Sequence, residues 1–224
     1  MVLIDGPRLP PAKGAKAQAL IVLLHGYGSN GDDLISLAPY WSRALPYAQF
    51  IAPNAPESVP GAPMGYQWFP IARIDPHAMT RGAESAAATI ESFLERECAR
   101  YRVDARDVAL VGFSQGAMMA LHVGLRSTRT PACVLAYSGM LTGAASLKSE
   151  AKSKPPILLV HGERDDRIPL SSMFDAADAL CDAGLSAQWH ISYGLGHSIG
   201  QDGLELGEAF LKMTLPAALR PAAG

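Results

Sequence analysis

Three short segments carry the residue types that acyl-transfer chemistry uses. Gly112-Phe-Ser-Gln-Gly116 has the form G-x-S-x-G, His161-Gly-Glu-Arg-Asp-Asp166 carries two adjacent carboxylates, and Ser192-Tyr-Gly-Leu-Gly-His197 ends a glycine-rich run on an imidazole. A serine hydroxyl is a poor nucleophile at neutral pH. It needs a base to take its proton and a carboxylate to fix the tautomer of that base. Ser114 is the candidate nucleophile, Asp165 or Asp166 the candidate carboxylate, and His197 the candidate base, in the chain order serine, carboxylate, histidine. The tetrahedral oxyanion of such a reaction also needs N–H donors. The backbone N–H of Gln115, directly after the serine, is one candidate. The loop His25-Gly-Tyr-Gly28 offers the N–H of Tyr27 as the other.

These groups work only if the chain brings them together, and the flanking segments say how. Val108 to Val111 is an apolar run that reads as a buried strand, and Ala117 to Val123 continues with strong helix formers. A strand, a sharp turn and a helix form the context in which a serine stands exposed at the top of a sheet. The turn is strained, so residues without a Cβ are expected on both sides of it, at Gly112 and Gly116. Further short apolar strands are expected at 19–24, 48–52, 132–137, 156–160 and 187–191. Helices are expected at 34–44, 81–100, 171–183 and 202–214. In the longest of these, Ile90, Phe93, Leu94 and Cys98 make one apolar stripe. Near-continuous apolar strands alternating with helices predict an α/β fold, a mostly parallel central sheet covered by helices on both faces. Chemistry in such sheets gathers at the carboxyl ends of strands. Tyr27, Ser114, Asp165 and His197 all follow a predicted strand.

The rest of the chain sets bounds. With 224 residues, 49% apolar, 18% charged and a net charge of −2, it reads as one globular domain over 1–224. It carries no charge block that would attract nucleic acid or an anionic membrane, and no apolar run approaches the roughly 20 residues of a membrane span. No secretory signal is read at the N-terminus. Cys98, Cys133 and Cys181 are odd in number and lack metal-ligand spacing, which points to free thiols in a reducing cytoplasm. Residues 53–80, rich in Pro and Gly, are too long for a plain connection and read as a loop or lid over the site. Within them Trp68 and Phe69 are candidates to line an acyl pocket. Lys148–Lys154 reads as a solvated turn and 216–224 as a frayed tail. His25 and His161, each before a glycine at a strand end, are expected to hold loop backbone. His122 and His190 are expected to pack.

Taken together, Leu24-His-Gly-Tyr-Gly28, Gly65-Tyr-Gln-Trp-Phe69, Gly112-Phe-Ser-Gln-Gly116, His161-Gly-Glu-Arg-Asp165 with Ile168-Pro169, and Gly196-His-Ser198 resemble the phospholipase/carboxylesterase family of α/β-hydrolases. The resemblance implies the α/β-hydrolase fold and selects Asp165 over Asp166. It also implies that His197 is the catalytic histidine and that Tyr27 and Gln115 are the oxyanion donors. Such proteins are cofactor-free, and some form dimers, which leaves a homodimer open. Tyr27 stands where the thioesterase branch commonly has Leu, and Trp68-Phe69 looks more like the bacterial carboxylesterases. The implied activity is hydrolysis of short- to medium-chain carboxylic esters through an acyl-enzyme on Ser114. A lysophospholipase or acyl-protein thioesterase with the same triad is the alternative. A hydrolase-fold binding protein without turnover is a more remote one, because such proteins usually lose a triad member and here all three are present.

Overall fold

The computed structural model describes residues 2–14, 16–71 and 75–221. Its strands are β1 (Arg8–Leu9), β2 (Ala19–Leu24), β3 (Ala48–Ile51), β4 (Glu57–Val59), β5 (Ala62–Gln67), β6 (Val108–Phe113), β7 (Cys133–Tyr137), β8 (Ile157–Gly162) and β9 (Ala187–Ser192). Its helices are α1 (Gly31–Ile35), α2 (Ala38–Ser42), α3 (Pro76–Tyr101), α4 (Gln115–Arg126), α5 (Ala144–Glu150), α6 (Ser171–Asp182) and α7 (Gln201–Thr214). Seven strands form the central sheet in the order β1-β3-β2-β6-β7-β8-β9, and β4 and β5 form a separate hairpin. All neighbours in the large sheet are parallel except β1, which runs antiparallel to β3.

Side chains alternate across a strand, so each buried strand feeds two cores. Leu20, Val22, Leu24 and Leu110 point to the face covered by α3, α4, α5 and α6, where they meet Ile90, Phe93, Leu121 and Leu180. Ile21, Leu23, Val111 and Leu135 point the other way, to Leu34, Trp41, Phe210 and Leu211 of α1, α2 and α7. This is the α/β-hydrolase arrangement, a mostly parallel sheet with helices on both faces. Among the described residues no helix is long and apolar enough to cross a membrane.

Several local expectations are revised. The helix expected over 34–44 is two short helices, α1 and α2, with Pro39 in the first turn of the second. The long helix begins earlier than Arg81, at Pro76. Asp75 caps it by accepting the N–H of His77, and Arg102 closes it in the left-handed region. Residues 148–150, expected in a solvated turn, instead end α5 (Ala144–Glu150), whose Leu147 is buried. The tail is docked as far as residue 219. Pro216–Leu219 is a 3-10 turn whose Ala218 is buried and whose carbonyl accepts the N–H of Tyr47. Residues 222–224 lie outside the described residues, as do 72–74 within the expected lid.

His122 packs inside α4 as expected, with Nδ1 3.0 Å from Thr142 Oγ1. Burial, with Arg126 nearby, holds its pKa down to about 4. The imidazole is therefore neutral in the folded protein at pH values where the unfolded chain would already charge it. Between about pH 6.5 and 4 the unfolded state binds more protons, so stability falls as pH falls through that window and levels off below it. The loss from this residue is about 3 kcal/mol at most. Urea unfolding across that range should show a shallower acid loss in His122→Gln than in the wild type.

Candidate active site

β6 ends at Phe113 and α4 begins at Gln115, so the whole reversal falls on Ser114. Ser114 has φ 55° and ψ −118°, a strained conformation that costs about 1–3 kcal/mol and persists only where its surroundings enforce it. Those surroundings are close. A Cβ on Gly112 would run into the Gly116 carbonyl, and one on Gly116 into the Leu24 carbonyl at the end of β2. The Ser114 N–H donates to Tyr137 O at 2.9 Å, and its carbonyl accepts the Ala117 and Met118 N–H groups. The turn is thus held from β2, β7 and α4 at once.

Ser114, His197 and Asp165 form one hydrogen-bonded chain. His197 Nε2 lies 3.0 Å from Ser114 Oγ, and His197 Nδ1 lies 2.8 Å from Asp165 Oδ2. The Phe113 ring packs on the imidazole with centroids 4.8 Å apart. The Asp165 side chain is fully buried, and its other oxygen, Oδ1, accepts the N–H groups of Arg167 at 3.0 Å and Ile168 at 2.9 Å. Burial alone would raise its pKa. The bonds from Ile168, His197 and Arg167 outweigh burial and hold the carboxyl below the ordinary range. Asp165 is therefore a charged acceptor for the Nδ1–H of His197, which leaves Nε2 as an acceptor facing the serine. Asp166, the neighbouring carboxylate, is exposed and does not join this chain.

Beside Ser114 opens a cleft of about 540 Å³. Gly26, Tyr27, Gln115 and His197 line it, Ile71, Met79, Met118 and Ile168 give it apolar surface, and Asp166 and Arg167 also border it. The backbone of Gly26 passes near the serine, for a Cβ there would lie 3.2 Å from Ser114 Cβ. The loop is held just past Tyr27, where the N–H groups of Gly28 and Ser29 donate to Tyr66 O and Gly26 O. Among the described residues no group of His, Cys, Asp or Glu could hold a metal ion. The arrangement can take the proton from a serine hydroxyl, which is the first step of ester hydrolysis through an acyl-enzyme.

A family model for phospholipase/carboxylesterase proteins matches residues 11–215. The chain belongs to the phospholipase/carboxylesterase family. This hydrolase is 28% identical over 214 residues to acyl-protein thioesterase 1 of Gibberella zeae, covering 88% of this chain and 91% of that protein. It is 29% identical over 200 residues to esterase YpfH of Escherichia coli, covering 89% and 84%. The crystal structure of esterase PE8 superposes with a TM-score of 0.91 at 44% identity, over 96% of this chain and all of that one.

Trp68 and Phe69 do not line the cleft of this hydrolase, in contrast to the sequence expectation. Both are buried. Trp68 Nε1 donates to His25 O at 2.9 Å, and the Phe69 ring lies against Gly82 of α3. The reason is the side chain of Gln115. Its Oε1 accepts the Trp68 N–H at 2.9 Å and its Nε2 donates to Phe69 O at 2.7 Å, which straps the segment after the β4–β5 hairpin to the elbow. His25 adds a second strap. Its Nε2 accepts the Ala55 N–H at 2.9 Å and its Nδ1 donates to Gly26 O at 2.8 Å, while burial keeps its pKa low. Met118 is a core residue that also borders the cleft, and Ile71, Met79 and Ile168 join it there from three segments distant in the chain.

The Gln115 clamp gives a prediction. Gln115→Ala leaves two buried backbone groups unpaired, each costing about 1–3 kcal/mol. Limited proteolysis of this variant should cut within residues 57–71 much faster than in the wild type, whereas Gln115→Glu should restore only the bond to the Trp68 N–H.

Proposed function

We propose that this protein is a serine carboxylesterase, cleaving short- to medium-chain carboxylic esters through an acyl-enzyme on Ser114. The observation that carries the reading is the chain Ser114–His197–Asp165 with both hydrogen bonds made. His197 Nε2 takes the Oγ proton as Oγ bonds to the ester carbonyl carbon. The carbonyl oxygen becomes an oxyanion held by the N–H groups of Tyr27 and Gln115, with the amino end of α4 adding favourable potential. Collapse expels the alcohol, which leaves with the proton that His197 returns. Water then enters by the same route and releases the acid. Asp165 stays ionised throughout and stabilises the imidazolium. No step requires a cofactor, and the reading takes the chain as one domain around one site. The free Cys98, Cys133 and Cys181 support a reducing, cytoplasmic location.

One observation favours longer acyl groups, as in the lysophospholipase or acyl-protein thioesterase reading. Met79 lines the cleft and also a second apolar groove of about 400 Å³, shared with Met140, Leu141, Ala144 and Ala176. The two readings separate on kcat/KM for p-nitrophenyl esters from acetyl to palmitoyl. A maximum at short to medium chains is expected, and Ser114→Ala should lose at least about 10³-fold. A maximum at palmitoyl that collapses in Met79→Trp would instead mean that the second groove takes the chain. Full activity in Ser114→Ala would overturn both.

We also propose that the partner, beyond a small ester, is a second copy of the chain, joined at β9. This is the open edge of the sheet, six residues long, whereas the opposite edge is the two-residue β1. Residues 187–192 carry no Asp, Glu, Lys or Arg, so pairing with an identical strand meets no like charge. Trp189, 52% exposed, stands edge-to-face with Phe174 at 5.5 Å beside that edge. Light scattering should give a dimer for the wild type and a monomer for Trp189→Glu. A monomeric wild type would refute the proposal without touching the catalytic one.

A further inference from the structure

A second histidine reaches the same carboxylate oxygen as His197. His161, the last residue but one of β8, is buried to 1% side-chain exposure, and its Nε2 lies 3.3 Å from Asp165 Oδ2. The same nitrogen is 2.8 Å from the carbonyl oxygen of Ile168. Both neighbours are acceptors, since a carbonyl and an ionised carboxylate have no hydrogen to give. Nε2 must therefore carry the proton. Resting on the reading of Ser114, His197 and Asp165 given above, we infer that His161 is a positioning residue for the reaction, setting both the place and the basicity of Asp165 through its Nε2–H.

The geometry acts in two ways. The bond to the Ile168 carbonyl closes the turn 161–168. The N–H groups of Arg167 and Ile168 in that turn hold Asp165 Oδ1. His161 thus fixes the orientation of the carboxylate plane without touching substrate. The proton on Nε2 is directed at the Ile168 carbonyl, and the nitrogen that carries it lies 3.3 Å from Oδ2, so its positive end stands beside the oxygen that receives His197 Nδ1–H. It competes with His197 for that electron density and tempers the pull of Asp165 on the imidazolium. Burial strengthens both effects, because the low local dielectric screens them little. On the same turn, Asp166 and Arg167 border the cleft and Arg164 donates its N–H to Leu195 O, while Glu163 accepts the Gly194 N–H across the loop that carries His197. The elbow contributes Ser114 and no charge.

The test is the pH profile of kcat/KM for an ester that the wild type turns over in a Ser114-dependent way. If Ser114→Ala keeps its activity, the catalytic reading fails and the inference falls with it. Given that dependence, His161→Leu should lower kcat about tenfold with KM changed less than about twofold, the scale of an outer hydrogen-bond partner. Its acid limb should move upward by about 0.5 pH unit, because Asp165 then stabilises the imidazolium more strongly. His161→Gln, which keeps an N–H donor, should recover most of the rate and return the limb. A loss equal at every pH, with no movement of the limb, would mean that His161 only packs. Should the Leu variant fail to fold, nitrogen-15 NMR of the wild-type histidines decides. The expected result is an Nε2–H tautomer for His161, whose resonance shifts when a fluorophosphonate occupies Ser114 and His197 becomes charged. A bare Nε2, or a resonance that does not move, would overturn the inference.

Discussion

The close approach of α4 to the carboxyl end of β2 is the constraint on which the site depends. Gly116 lies so near the Leu24 carbonyl that any side chain would collide, and Gly112 is as close to Gly116. This contact pulls the first turn of α4 under the end of the sheet and forces Ser114 into a conformation that an isolated peptide would abandon. The hydroxyl is held clear of both backbone and helix. The same contact brings the loop after β2, with Gly26 and Tyr27, beside the serine. Ser114 and the candidate donors are thus positioned by one packing event.

That packing is secured by buried polar groups outside the Ser114–His197–Asp165 chain. The Gln115 side chain satisfies the Trp68 N–H and the Phe69 carbonyl, and His25 satisfies the Ala55 N–H and the Gly26 carbonyl. Each ties a long, irregular segment to the elbow by satisfying a backbone group that would otherwise be buried without a partner. Trp68 and Phe69 then serve as anchors. Residues 57–67, which by length alone could move as a lid, are a hairpin whose continuation is bonded to the elbow.

Asp165 illustrates how burial and hydrogen bonding oppose each other. Taking a carboxylate out of water disfavours its charge, yet two backbone N–H groups and His197 more than compensate, so it stays ionised in a fixed orientation. A carboxylate on the surface could also accept a bond from His197, but water would compete for it and let it rotate. Asp166, one residue away and exposed, has that environment.

How much of this was legible in the chain follows from the range of the forces involved. The α/β pattern was legible because each buried strand is a continuous apolar run and each helix has a local periodicity. The elbow was legible because its glycines and serine are adjacent. Ser114 and His197 stood out by type and order, and Asp165 was separable from Asp166 only by resemblance, since the two differ in burial and not in chemistry. Other features were decided by tertiary structure alone. Ile71, Met79, Met118 and Ile168 meet at the cleft because distant segments pack there. Trp68 and Phe69 turn inward because Gln115, dozens of residues later, bonds their backbone. His161 meets Asp165 because the intervening turn closes on Ile168. Local sequence determines which groups are present and what each element prefers. Only the folded chain decides which of them lose water together, and that loss fixes their direction and charge.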